Sequence, residues 1–183
     1  MEKKELIKEW IKDILIAVVI ALIVMQFFKP TIVKESSMEP NFIENDYVFV
    51  NKQTYHLFRG NPQEGDVIVF QSSLPGQDGS NKLLIKRVIG LPGDKISVLD
   101  GKVFVNGKMI DDSYTKDQYT NGQIEDLIVP KDEYFVMGDN RRVSIDSRYP
   151  EVGFVKKDEI VGKVVFRLFP IDKIGTIKNP YKE

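Results

Sequence analysis

The 183-residue chain has no cysteine and a single histidine, His56. The first absence excludes thiol nucleophiles, disulfides and Cys/His zinc sites, and it suits a domain that folds outside the cytoplasm without disulfide formation. The second leaves no spare histidine for a His–Asp relay. Any catalysis must draw on Ser, Thr, Lys, Tyr or carboxylates. Surplus charge is missing too: 26 Lys plus Arg stand against 27 Asp plus Glu, a formal net charge of -1, so there is no basic field of the kind that drives nucleic-acid binding. The length suffices for one membrane anchor and one domain with a core of its own.

Long apolar runs are scarce, and the exception is near the start. From Ile14 to Phe28 the chain is apolar apart from Gln26, preceded by Trp10 and Ile11 and closed by Lys29-Pro30. At about 1.5 Å per residue this run covers roughly 22 Å, short of a hydrocarbon core of about 30 Å. Adding Trp10 and Ile11, with Lys12 snorkelling, brings a helix near the lower limit for spanning. No small-x-small cleavage pattern follows Phe28, so the segment is expected to be an uncleaved anchor rather than a removable leader. Lys3, Lys4, Lys8 and Lys12 precede it, and this bias predicts a cytoplasmic N-terminus with everything after Lys29 outside. The expected division is a cytoplasmic tail at 1–13, a transmembrane anchor at 14–29 and an extracytoplasmic domain at 30–183.

Beyond Pro30 short β-branched and aromatic runs dominate: Tyr47 to Val50, Asp66 to Phe70, Leu83 to Ile89, Ile96 to Leu99, Val103 to Val105, Glu133 to Met137 and Val161 to Phe169. These predict strands, and the domain is expected to be mainly β. Asp100-Gly101 and Asn106-Gly107 favour positive φ and predict two tight hairpins. Gln71 to Asn81 and Asp111 to Gln123 are polar enough to read as loops.

Three stretches carry residues capable of chemistry. Ser36-Ser37-Met38-Glu39-Pro40 sets a serine beside a proline-stiffened bend, which is also what an ordinary turn looks like. Lys86 interrupts an apolar strand pattern. Period-two alternation groups Leu84, Lys86 and Val88 on one face and Ile85, Arg87 and Ile89 on the other, so one of the two cations is expected to point inward. It could be an edge lysine, a buried ion pair, or an amine whose pKa the apolar setting lowers until it can accept a serine proton. Gly138 to Arg148 is dense in polar groups, as an Asx-rich turn with surface salt bridges would also be.

Ser37-Met38-Glu39-Pro40, Gly65 to Phe70, Lys86-Arg87-Val88-Ile89-Gly90-Leu91-Pro92-Gly93-Asp94 and Gly138 to Arg148 occur in this order behind an N-terminal anchor. This arrangement resembles the box pattern of bacterial type I signal peptidases, in the short Gram-positive form, over nearly the whole chain. The resemblance implies a coiled-sheet, barrel-like β protease domain and a Ser-Lys endopeptidase that removes signal peptides from exported preproteins beside the lipid bilayer, without metal or cofactor. It assigns Ser37 as nucleophile, its backbone N–H as an oxyanion donor and Lys86 as general base. Ser144 matches the serine that orients the lysine, Asp146 and Arg148 match a bracing ion pair, and Asp139, Asn140 and Arg141 match residues shaping the same turn. Substrate would add as a strand between the segment around Val33 and Leu84-Ile85, over pockets completed by Met38 and Phe42, with small residues at the first and third positions before the cut.

Two positions depart from the pattern. Glu35 stands where Ser or Gly is frequent, and an ionised carboxylate cannot donate to an oxyanion; Asn41 stands where Thr is usual. The alternatives are a weakly active or inactive membrane-tethered relative serving as a binding module, for example in pilus assembly, and a self-cleaving repressor-type Ser-Lys protease. The second would carry a DNA-binding domain, which the first thirty residues leave no room for.

Overall fold

The structure, a computed structural model, describes residues 2–55, 60–76 and 79–182; His56 lies outside them. Among the described residues one α-helix, α1 (Glu2–Phe27), is followed by twelve strands: β1 (Phe28–Ile32), β2 (Tyr47–Asn51), β3 (Val67–Pro75), β4 (Asn81–Gly90), β5 (Lys95–Leu99), β6 (Lys102–Val105), β7 (Lys108–Met109), β8 (Ile124–Ile128), β9 (Glu133–Met137), β10 (Val155–Lys156), β11 (Ile160–Phe169) and β12 (Gly175–Thr176). The expected mainly β domain behind an apolar helix is what forms. Glu5–Phe27 of α1 is long and apolar enough to cross a membrane. The helix starts well before residue 14 and stops at Phe27, so Phe28 and Lys29, expected inside the anchor, belong to β1.

Two sheets build the domain. The larger has eight strands in the order β1-β2-β11-β3-β4-β9-β10, with β12 on β11; the smaller has the order β7-β6-β5-β8. Neither closes on itself, so the barrel-like expectation resolves into two open sheets. Every pairing is antiparallel. Both hairpins of the smaller sheet turn as expected, with Asp100 and Gly101 at φ 49° and 78° and Asn106 and Gly107 at 52° and 78°.

The centre of the large sheet has no solvent face. Val67 to Phe70 of β3 and Lys86 to Gly90 of β4 are buried at every position. Alternate residues feed different cores: Ile68, Phe70, Leu84 and Val88 pack together, while Val67 and Val69 join Val33, Met38, Phe42 and Val48. A third core under the small sheet uses Ile89, Ile96, Val98 and Phe135. Strand β4, flanked by β3 and β9, is thus covered on both sides. Any polar side chain it carries must find a partner inside the protein.

Candidate active site

Ser37 lies in a single 3-10 turn, Ser36–Met38, entered from Glu35 in extended backbone. The turn is held by Glu39 N–H donating to Ser36 O and Phe42 N–H donating to Met38 O. Met38 is fully buried and anchors it to the core. Asn140 fixes it from the other side, donating its backbone N–H to Ser37 O at 3.0 Å and its side-chain amide to Ser36 O at 3.1 Å. The nucleophile candidate is therefore positioned from two directions.

Lys86 reaches it from β4. Its Nζ is 2.8 Å from Ser37 Oγ and 3.1 Å from Ile85 O, and the residue is 1% exposed. Burial pushes the amine down to about 8, against the opposing pull of Asp146, Glu35 and Asp139; Lys82 adds to the lowering.

Both adjacent cations are buried, where only one was expected. Arg87 makes a two-pronged pair with Asp139, Nε–Oδ1 at 2.8 Å and Nη2–Oδ2 at 2.7 Å, and donates Nη1 to Gly65 O at 2.9 Å. Its guanidinium lies 4.7 Å from the centre of the Tyr114 ring. Asn41, the second departure from the box pattern, donates to Asp139 Oδ2 at 2.9 Å and to Tyr114 O at 2.8 Å. Inward and outward lose their meaning on a strand covered on both faces, so each cation has its own buried partner.

The polar turn after β9 braces the same place. Asp146 is fully buried and accepts from Arg148 Nε at 2.8 Å, Arg148 Nη2 at 2.9 Å and the Gly138 N–H at 2.9 Å. Arg148 also donates to Ser144 O at 3.2 Å and Asn121 O at 2.9 Å. Arg141 donates to Gly138 O, Thr120 Oγ1 and Tyr114 Oη. Ser144 is buried with its hydroxyl unpartnered, and the second contact of the Lys86 amine is Ile85 O rather than that hydroxyl. A Cβ on Gly138 would run into Ser144 Oγ and Ser37 O, so only glycine lets the two serines come this close.

Ser37 opens onto a cleft of about 390 Å³ whose apolar lining is Leu74, Leu84, Val143 and Ile145. Of the residues expected to contact substrate, Leu84 lines it. Val33, Met38 and Phe42 are buried beneath, packed with Val48 and Val50, and Ile85 is partly buried against that core. Val143 and Ile145 are exposed apolar residues on either side of Ser144 in an otherwise charged stretch, and that contrast is the signal by which they were recognisable. Tyr114 had none, since it sits in a segment read as a loop. Glu35 faces the cleft and is ion-paired with Lys82. Among the described residues, no group of three or more His, Asp or Glu side chains is placed to hold a metal ion.

The family described as "Signal peptidase, peptidase S26" matches residues 7–169. Signal peptidase I P of Bacillus subtilis subsp. natto is 40% identical over 186 residues, covering 96% of both chains. Signal peptidase IB of Staphylococcus aureus is 38% identical over 196 residues, covering 97% of both. A solved signal peptidase I from Enterococcus faecalis V583 is 32% identical, with a TM-score of 0.47, covering 57% of this chain and 97% of that one. A serine hydroxyl at the rim of a cleft and within hydrogen-bond reach of a buried amine fits a serine endopeptidase, the class that the family and these relatives support. The chain belongs to the signal peptidase, peptidase S26, family. Nothing in these findings favours the binding-module alternative.

Proposed function

We propose that this protein is a membrane-anchored endopeptidase that removes signal peptides from exported preproteins, with Ser37 as nucleophile and Lys86 as general base. The observation that carries the reading is the 2.8 Å contact between a buried lysine amine and a serine hydroxyl at the cleft. When the amine is neutral, the same contact carries the Ser37 proton toward Nζ. The hydroxyl oxygen then attacks the scissile carbonyl carbon, and the ammonium returns its proton to the departing amine nitrogen. A water, deprotonated by the same lysine, hydrolyses the acyl-enzyme and regenerates Ser37. No metal or cofactor enters these steps.

The Ser37 backbone N–H is the oxyanion donor in this scheme. The Glu35 carboxylate cannot share that role, having no proton to give and being already paired with Lys82. The buried Ser144 hydroxyl is the group that orients the lysine once its proton state changes, and the Asp146–Arg148 pair holds that serine's backbone. Substrate lies extended between the segment around Val33 and Leu84-Ile85, over the cleft lined by Leu84, Leu74, Val143 and Ile145. The lysines preceding the span place the N-terminus in the cytoplasm and the catalytic domain outside. Incubation of the full-length protein in detergent with a purified preprotein tests the proposal. Cleavage at one site, absent with Ser37→Ala and with Lys86→Ala, supports it; cleavage that survives either change removes the pair.

A further inference from the structure

An extended substrate between the two banks of the cleft is the premise here, and it rests on the protease function proposed for Ser37 and Lys86. The protein already draws a bond of its own across that groove. Glu35, two residues before Ser37, has extended backbone at φ -132° and ψ 153°, and its side chain makes no capping bond to the 3-10 turn. Its carboxylate crosses instead to Lys82 on β4. Lys82 shares its strand parity with Leu84 and Lys86, and Glu35, Ser37, Lys82 and Leu84 all line the same cleft.

At about 3.3 Å per residue, Lys82 stands about 13 Å along the strand from Lys86. With Glu35 only two residues from the nucleophile, the pair straddles the path of a bound strand roughly two to four residues from the bond being cut. The two side chains are 40% and 41% exposed, so water can take over the charges when they part. The other charges lining the cleft are Lys34 and Glu44.

We propose that the Glu35–Lys82 ion pair is a latch across the substrate groove, which opens before an extended chain can settle against β4, so that these two residues govern substrate capture rather than the chemical step. Glu35 then has a role of its own at a position where an oxyanion donor is ruled out. Because the latch is electrostatic and half exposed, dissolved salt weakens it.

Steady-state cleavage of a purified preprotein by the full-length enzyme in detergent, at a pH above the titration of Lys86, tests the latch. Exposed ion pairs shift an equilibrium by about one-and-a-half- to fivefold. Glu35→Gln and Lys82→Gln should each lower KM by about that factor, with the change falling on KM and not on kcat. Added salt should bring the wild-type KM down toward theirs and move theirs less. The reversed double variant, Glu35→Lys with Lys82→Glu, should restore both the wild-type KM and its salt response. A KM unchanged or raised in both single variants, an effect confined to kcat, or a double variant that only adds the single effects would overturn the proposal. Ser37→Ala, measured alongside, separates the two layers: if it still cleaves, the protease reading fails; if it is inactive while the KM values do not move, the latch alone fails.

Discussion

Lys86 and Arg87 are neighbours on one strand, and their side chains leave it in opposite directions to end in two different buried partnerships, Ser37 on one side and Asp139 on the other. The first partner is a neutral hydroxyl and the second a carboxylate, and that difference sets their chemistry. An amine buried without a counter-ion in hydrogen-bond contact is pushed toward its neutral form, whereas a guanidinium in a two-pronged pair stays charged. One strand thereby carries both an amine pushed toward its neutral form and a fixed strut.

Cleavage should follow the titration of the lysine. With the amine lowered to about 8, the active free base grows as pH rises and is lost as pH falls through that value. Near pH 7.4 about a fifth of the molecules would carry it, against about one in a thousand for an unperturbed lysine. The kcat/KM profile should therefore climb through about pH 8 and level off above it. A profile flat from pH 6 to 10 would show that another group takes the proton.

Ser144→Ala should separate catalysis from stability. The Ser144 hydroxyl is buried without a partner, so its removal leaves no bond broken, and the thermal midpoint should hold or rise slightly. Catalysis should fall by about tenfold or more yet remain measurable, because an orienting group is not the base. A large drop in the midpoint would show that the hydroxyl has a structural partner.

Asp139→Asn should be costly. The Arg87–Asp139 side chains are 3% and 1% exposed, and stranding a buried guanidinium without its carboxylate costs about 3–5 kcal/mol. Urea unfolding of the detergent-solubilised protein measures this, and a loss below about 1 kcal/mol would mean that the pair is not buried from water.

Gly138→Ala introduces a methyl group where Ser144 Oγ and Ser37 O already stand. Overpacking of this kind costs about 1–3 kcal/mol. Because one of the displaced atoms, Ser37 O, belongs to the turn that carries the proposed nucleophile, activity should fall further than stability does. A variant with wild-type kcat would mean that the turn has room to give.

Protease added outside intact protoplasts should digest the chain beyond Lys29, as the lysine bias before the span requires. Protection of that region, with the N-terminus accessible from outside, would reverse the topology.

The sequence carried the strands that alternate or run apolar, and lost those without either signal. Strand β1 contains Pro30, which ordinarily argues against a strand; it is tolerated because β1 is the edge of its sheet. Strand β8, Ile124–Ile128, is half-buried at its first residue and exposed at the rest, so no period could show. Strands of two residues, such as β10 and β12, hold too little pattern to read. Strand β3 runs on to Pro75, through polar residues that resemble a loop, because β4 pairs with it there. At the candidate site, the motifs pointed to Ser37 and Lys86, which the fold brings within 2.8 Å of each other. The burial of Arg87, the stacking of Tyr114 and the Glu35–Lys82 pair depend on contacts between distant segments that no local pattern encodes.

The junction between α1 and β1 has no linker: the helix ends at Phe27 and the strand begins at Phe28. It is clasped by Lys52 N–H donating to Phe27 O at 2.9 Å and by Gln53 Nε2 donating to Gln26 O at 3.2 Å. A domain joined in this way to a helix that spans a membrane would work as a ruler. In the protease proposed above, the cleft would then stand at a set altitude over the lipid, and a preprotein would be measured as well as recognised. A cut site carried several residues too far from the end of its own apolar segment would be out of reach, however well its side chains fit.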